Sequence, residues 1–509
     1  MITGILNLFT EGDLDRIHNA AMAVLERVGI KVYHDRLLES LARYGAKVDL
    51  AAKNARIPAK IVEGIIADQK KRPFRPDRLR GRAAPTVEGG PPAGVSLPRG
   101  SAAALAGEAK GDYHVGVGGV IAPFYYDYDR KERRRATKKD LIEMMHFGDA
   151  VSAPGGGRVG LPVTMSDVDG RVECIEALAL LIEHTHRPAG AYVHRANQVP
   201  YIMRIAEIYG KDKLGASFGG PSFMTSPLTI GMNLGDLIFE RARWGVKNFS
   251  IGVMPISGGN APVTMAGNIV LSIAETFGGW AAVKSVVPDA ALTTGACNGT
   301  LDMRRGIACW NSPEALLQDL GFCEVFRRRY GGHARVAAHS DYIEAKAPGL
   351  QAVYERTFRS MAIAAFNGNH FRLGGNGTLD GGKVFSPVEL MLEKELGEGL
   401  WKFAKGVPVT DETLALEAIM EVGAGEGRTY TDTDHTVSLF RQALWRPRLM
   451  DRSAYESDEA ETAKERRLLD GANEAFHETL KSYQPPDVDR KMLAEVWRVV
   501  AEARRELIR

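Results

Sequence analysis

The sequence predicts an α/β protein: a TIM (β/α)8 barrel with an N-terminal helical segment and a C-terminal helical extension. Beyond position 140, apolar β-prone runs at 159–163, 189–193, 249–254, 290–294 and 335–338 alternate with long helical patterns, and such alternation implies a parallel sheet. Links from helix into strand are short (Val246-Lys247, Val287-Pro288-Asp289, Gly331-Gly332), whereas links from strand into helix are long and polar. The long loops therefore belong on one face. The competing architecture, a doubly wound open sheet, requires a GxGxxG turn after its first strand, and no such turn stands in that context.

Each element has its own signal. Thr10 and Asp13 stand in capping-box spacing, followed by Leu14, Ile17, Ala21, Leu25 and Val28 at helical intervals and by Gly29 as a stop. A second helix is predicted over 35–44, and Pro58 starts a third, so residues 1–76 read as an N-terminal helical segment. Residues 77–139 read as an irregular, extended segment joining the barrel, with the stretch 77–111 rich in Pro, Gly, Ala and Arg and free of periodicity. The barrel itself is placed at 140–450. From 451 to 509, charges mix with helical apolar spacing (Leu468, Leu469, Ala472, Phe476, Leu480) without a β-prone run, which predicts a helical extension packed on the barrel or a neighbouring subunit.

Composition narrows the function. With 45% hydrophobic and 25% charged residues among 509, the chain is a folded protein with a sizeable core. Sixty-five basic against 63 acidic residues leave a net charge of +2, too little for a chain-wide field toward nucleic acid or an anionic membrane. The basic run RKERRRATKK at 130–139 reads first as a solvated face and second as a patch for an acidic partner. Cys174, Cys297, Cys309 and Cys323 form no CxxC and are too few for a disulfide scaffold, which points to a reducing cytoplasm. The N-terminus lacks the basic region and cleavage site of a signal peptide. Two uncharged stretches, 214–235 and 249–274, have the length of a membrane span, but Gly, Pro, Ser, Thr and Asn break both. His333, His435 and the cysteines are too widely spaced for a local metal clip, so no metal site is predicted. The Gly-rich pieces GGNGTLDGG and PGGG lack the Lys and Ser/Thr of a phosphate loop.

A series of blocks resembles the trimethylamine methyltransferase family: IHNAAMAVLERVGIKV at 17–32, RIPAKIVEGIIAD at 56–68, SPLTIGM at 226–232 and GGNAPVTMAGNIVLSIAET at 258–276. LDMRRG at 301–306, SPEALL at 312–317, SDYIEAKAPGLQAVYE at 340–355, GTLDGGKVFSPVELML at 377–392 and HTVSLFRQALWRPRLMDR at 435–452 continue it. The blocks cover nearly the whole chain in order. The resemblance implies a TIM barrel that binds a methylated amine in its mouth, docks a corrinoid (cobalamin) protein and passes a methyl group to Co(I), with no tightly bound cofactor of its own. Founding members of the family carry pyrrolysine, whereas this sequence has only standard residues. That difference implies a betaine-type quaternary amine as substrate. The 77–111 segment and the loop AAHSDYIEAKAP depart from the family pattern.

Methyl transfer from a quaternary ammonium expels a neutral amine, so the protein's task is alignment of a soft cation more than proton transfer. Aromatic faces suit that task, and Phe124, Tyr125, Tyr126, Tyr128, Trp310, Tyr342 and Phe371 are the candidates, with a plain half-buried strand as the competing reading of FYYDYD. In a barrel the site is built on the loops after the strands, where Asp302, Asp341, Glu344 and Asp380 place carboxylates. Gln351 and Glu355 share one helix face. His339 follows the apolar run RVAA at a strand top. Arg304, Arg305, Lys346 and Asn298 suit a substrate carboxylate, and Asn260 lies in the 254–262 loop. The expected catalytic residues are Asp302, His339 and Asp341. The expected substrate-binding residues are Tyr126, Asn260, Asn298, Arg304, Trp310, Tyr342, Lys346, Gln351, Glu355, Phe371 and Asp380. The expected function is methyl transfer from a quaternary amine to a partner corrinoid protein by a cytoplasmic homo-oligomer. Transfer to another acceptor such as tetrahydrofolate, or quaternary-amine binding without catalysis, are the alternatives.

Overall fold

The computed structural model describes residues 5–72, 116–152, 158–210, 218–219, 222–332, 334–336, 342–367, 376–404, 406–424 and 427–509. The 77–111 segment and His333, His339, Asp341 and Phe371 lie outside the described residues.

The first helix, Glu11–Arg27, begins where its capping box predicts: the Thr10 hydroxyl accepts from Asp13 N and the Asp13 carboxylate accepts from Thr10 N. Gly29 ends it at a φ of 79°. Val28, expected on the inner face, is 56% exposed because it sits at the cap, where the helical register ends. Helices Asp35–Tyr44 and Ala59–Lys70 follow, the latter behind Pro58. In the connections among these three helices, the short strands Ile30–Val32, Lys47–Asp49 and Asn54–Arg56 make an antiparallel sheet. Three residues are too few to show a period in the sequence, so the helical reading of 1–76 omits them. Ile30–Val32 also pairs in parallel with Thr229–Ile230, which ties this unit to the remainder of the chain.

The predicted alternation is present as a run of parallel pairings. Ala122 bridges Val163, Val159 bridges Pro188, and Ala191–Tyr192 pairs with Phe218–Gly219. Ser222–Phe223 pairs with Asn248–Val253, which pairs with Ala291–Ala296, which pairs with Ala334–Val336. Within this last, four-stranded sheet every pairing is parallel, so the loops that leave its strands emerge at one edge. The described residues form a mixed α/β structure with several sheets, and they do not form a closed barrel.

Helix Met265–Val286 backs this run. It is long and apolar enough to cross a membrane, yet 83% of its most apolar window is buried inside the protein. Gly278 and Gly279 allow the close fit: a Cβ on Gly278 would stand 2.7 Å from Ile30 Cγ2, and one on Gly279 2.6 Å from Ile251 Cγ2. Two glycines thus let one helix pack between two sheets. Helix Pro313–Arg329 opens with Ser312 accepting from Ala315 N and with Pro313 in the first turn, where proline loses no bond. At the C-terminus, helices Asp458–Lys481 and Arg490–Leu507 bury Ala472, Phe476, Val496, Val499, Val500 and Ala503. Phe476 meets Phe147 edge-on at 4.9 Å.

Candidate functional site

The loops after the parallel strands knit together at the shared edge. After Asn248–Val253, Ile256–Ser257 pairs with Gly299–Asp302, which follows Ala291–Ala296 and turns back as Ile307–Cys309. That hairpin delivers Trp310. The Trp310 backbone N–H donates to the Glu344 carboxylate at 2.6 Å, and the backbone N–H groups of Glu344 and Ala345 donate to Glu355 at 2.5 and 3.2 Å. Gln351 donates to the other Glu355 oxygen at 2.6 Å, as spacing on one helix face predicts. On the far side, Asp380 N donates to Ala345 O and Gly381 N to Ile343 O. The segment 342–346 is thereby bound on both flanks.

An aromatic wall and a cationic cluster meet around the turn 380–382. The Trp310 and Tyr342 rings lie 5.9 Å apart at 46°. A Cβ on Gly381 would stand 2.9 Å from Trp310 Cδ1, and one on Gly382 2.2 Å from Tyr342 Cε1. Both glycines have positive φ (61° and 82°), so the turn needs glycine for its backbone as well as for space. Lys346 donates to Asp380, Arg133 approaches the same carboxylate at 2.8 Å and Lys383 at 3.8 Å. Burial opposes ionisation of Asp380, but hydrogen bonds from Lys346 and Arg133 overcome it and hold its pKa below the ordinary value. Within the assembly, Lys346, Arg133 and Lys383 offset three carboxylates, Asp380, Glu344 and Glu355. Tyr126 packs beside this group against the cluster of Ile343, Ala345, Leu379 and Val384.

Beneath the loops lies a buried polar layer. Asn298 and Asp319 are fully buried, and Asn298 N donates to Asp319 at 2.7 Å. Arg359, equally buried, approaches Asp319 at 3.3 Å and donates to Trp310 O at 3.0 Å. Ser272 donates to Asn298 Oδ1 at 3.1 Å, while Asn298 Nδ2 has no hydrogen-bond partner among the described residues. Ser257 accepts from Asn268 and Gln318, each at 2.9 Å.

The predicted residues divide by place. Trp310, Tyr342, Lys346, Gln351, Glu355 and Asp380 form one connected assembly, with Tyr126 beside it and Asn298 below, joined to Trp310 through Asp319 and Arg359. Asn260 accepts from Ile256 N at 2.7 Å and shapes the 256–261 turn. Asp302 caps the tip of the 299–309 hairpin, accepting from Arg304 N at 2.9 Å and Arg305 N at 3.3 Å. Arg304 is exposed there. The hydrogen bond from Arg304 N is the leading cause that lowers the Asp302 pKa, with Arg305 adding to it. Tyr125 and Tyr128 belong to buried clusters, and the Tyr128 hydroxyl donates to Asp470 at 2.9 Å. Arg133, Asp319 and Arg359 were missed. Arg359 extends the face of Gln351 and Glu355 by one more step of four. Arg133 alternates out of the strand Glu132–Arg135 that the basic run forms.

Two surface cavities of about 630 and 530 Å³ lie elsewhere, around His194, Arg195 and Asp236 and around Arg204, Glu240 and Glu502. Arg204 and Glu502 pair across the second at 2.6 Å, so its charges satisfy one another. Among the described residues, no group of three or more His, Cys, Asp or Glu gathers to hold a metal ion.

Comparison with known proteins gives a consistent set of similarities. The model of the family described as trimethylamine methyltransferase matches residues 2–80 and 108–507. The chain is 26% identical to a trimethylamine methyltransferase of Desulfitobacterium hafniense, over 98% of this chain and 94% of the relative. It is 27% identical to one of Methanosarcina barkeri, over 98% and 95%. A glycine betaine methyltransferase of Desulfitobacterium hafniense is 25% identical, over 98% of both chains.

Proposed function

Because the chain belongs to the trimethylamine methyltransferase family, we propose that it moves a methyl group from a betaine-type quaternary amine to the Co(I) of a partner corrinoid protein. That it is a methyltransferase follows from its relatives. The observation that carries the finer reading is the meeting of Trp310 and Tyr342 with Lys346 and Arg133 around the turn 380–382. A betaine is a quaternary ammonium joined to a carboxylate. The two rings offer faces to the cation, at ~0.5 to 2 kcal/mol for such a contact. Lys346, largely exposed, and Arg133 beside them supply cationic donors for the carboxylate.

The corrinoid, carried by the partner, supplies the nucleophile. This chain's residues orient the donor: Glu344 and Glu355 hold the aromatic and cationic residues at a fixed spacing, and the departing amine is neutral and needs no protein acid. Asp302, His339 and Asp341 remain the proposed catalytic residues; Asp341→Ala is expected to lower methyl transfer with little change in the unfolding midpoint. Equal activity would remove that residue from the site.

The same proposal includes closure of the parallel run into a (β/α)8 barrel. The hydrogen bond from Gly119 N to Asn376 Oδ1 at 3.1 Å supports it, since it joins the start of the run to the residue that precedes the 377–385 turn. Protein partners, including further copies of this chain, are supported by an exposed apolar stripe on helix Leu350–Asn367, formed by Leu350, Tyr354, Phe358 and Met361. The cytoplasmic assignment rests on cysteines that are all free.

Mixing the protein with glycine betaine or trimethylamine and Co(I) cobalamin tests the reading. New methyl-Co(III) absorbance with the betaine is the expected result. Heat of binding without product would leave a quaternary-amine binding protein, and no binding would overturn the substrate assignment.

A further inference from the structure

We infer that Glu355 is a positioning residue: acting through Glu344, it sets Trp310 and the 342–346 loop for the substrate and does not itself contact that substrate. The inference rests on the proposed site. Sequence spacing alone offers Glu355 as a substrate-binding residue on the helix face of Gln351. Its surroundings assign it other work. One oxygen accepts from the backbone N–H groups of Glu344 and Ala345, and the other accepts from Gln351. Three donors therefore occupy a carboxylate that has about four lone-pair sites.

The Glu344 carboxylate in turn accepts from Trp310 N at 2.6 Å. Two carboxylates in series thus connect helix Leu350–Asn367 to the hairpin that carries one wall aromatic and to the segment that carries Tyr342 and Lys346. One turn further along the same helix face, Arg359 holds the Trp310 carbonyl at 3.0 Å. Both backbone groups of Trp310 are fixed from this one helix, one directly and one through Glu344. A ring held at both peptide flanks keeps its face aimed without any contact between Glu355 and the ligand.

The two roles respond differently to one substitution. A positioning acceptor needs oxygen lone pairs, which Gln retains in part; an electrostatic ligand for a cation needs charge, which Gln lacks as fully as Ala. Glu355→Ala is expected to speed amide hydrogen exchange at Glu344, Ala345 and Trp310 by on the order of tenfold, and to lower kcat/KM for glycine betaine by a similar factor, the size expected from losing hydrogen bonds to a charged acceptor. Glu355→Gln is expected to stay within about twofold of wild type in both. If Glu355→Gln is as impaired as Glu355→Ala with unchanged amide exchange, Glu355 is a charge ligand and the inference fails. Unchanged exchange at those amides in Glu355→Ala overturns it as well. Should Glu355→Ala not fold, Glu344→Ala supplies the test: exchange must rise at Trp310 alone and stay slow at Glu344 and Ala345. Calorimetry of glycine betaine with the wild-type protein separates the two layers, because absent binding refutes the substrate assignment while the exchange pattern still decides the relay.

Discussion

Replacing Arg359 with Met isolates the buried layer beneath the site. Arg359 and Asp319 are both fully buried, and the guanidinium spans Asp319 at 3.3 Å and the Trp310 carbonyl at 3.0 Å. Removing one partner of a buried pair leaves the other charge uncompensated, at a cost of ~3 to 5 kcal/mol. With an unfolding entropy of ~2.1 cal/mol/K per residue, the 509 residues correspond to ~1 kcal/mol per kelvin. The unfolding midpoint is therefore expected to fall by ~3 to 5 °C. Burial pushes the Asp319 carboxyl up to about 7 even with Arg359 present, and loss of the cation raises it further. A folded-state pKa raised above the unfolded value gives stability that is present at low pH and lost as pH rises through the folded pKa. The deficit of the variant must then widen as pH rises above about 7. Thermal unfolding followed by circular dichroism at acidic and alkaline pH measures it. A midpoint loss below ~1 °C at alkaline pH, or a deficit that narrows with rising pH, would refute the assignment of the pair as a buried ionic tie. Adding Asp319→Leu should recover most of the loss, because the double variant leaves no stranded charge.

Three further outcomes follow from single contacts. Lys346→Ala should raise KM for glycine betaine by roughly three- to tenfold while leaving an amine without a carboxylate almost unaffected, because one charge-assisted contact is lost from an exposed position; equal loss on both substrates would remove Lys346 from the carboxylate subsite. Gly382→Ala should destabilise the protein by ~1 to 3 kcal/mol and weaken betaine binding in calorimetry, since its φ is 82° and its Cβ would stand 2.2 Å from Tyr342; unaltered binding would argue against Tyr342 as a wall of the site. Glu275 accepts from Ser226 Oγ at 2.8 Å and Leu228 N at 2.9 Å, and burial pushes its pKa up from 4.5 to about 7. Stability that is full below the unfolded pKa declines as pH climbs toward 7, so Glu275→Gln should gain on wild type across that window, bounded by ~3 kcal/mol at ~1.4 kcal/mol per pKa unit. Denaturant titrations at pH 4.5 and 8 with equal differences would contradict this.

Local rules carried much of the architecture. Thr10 with Asp13, Pro58 and Ser312-Pro313 mark helix starts because capping and proline geometry act within a few residues. The runs at 249–254 and 290–294 announce strands because fully buried parallel strands need continuous apolar sequence. Trp310, Tyr342, Lys346, Gln351, Glu355 and Asp380 are legible as candidates from their places on loops and one helix face, and the structure brings these six together.

Partnership across the chain was decided elsewhere. Nothing near Arg133 in the sequence points to Asp380, 247 positions away, so the basic run reads as solvent-facing until the sheet Phe124–Asp127 with Val384–Phe385 brings the two together. Arg359 and Asp319 likewise look like ordinary helix charges, because a helix pattern shows which face is charged but not what covers it. Asp302 and Arg304, in the block LDMRRG, meet at a hairpin tip, where the Asp302 carboxylate accepts from Arg304 N and Arg305 N, a local contact that their spacing alone does not announce. Periodicity is set by the chain's own neighbours, within reach of the sequence. The identity of a buried charge's counter-ion is set by which distant segments share a low-dielectric space, and only the packed structure fixes that.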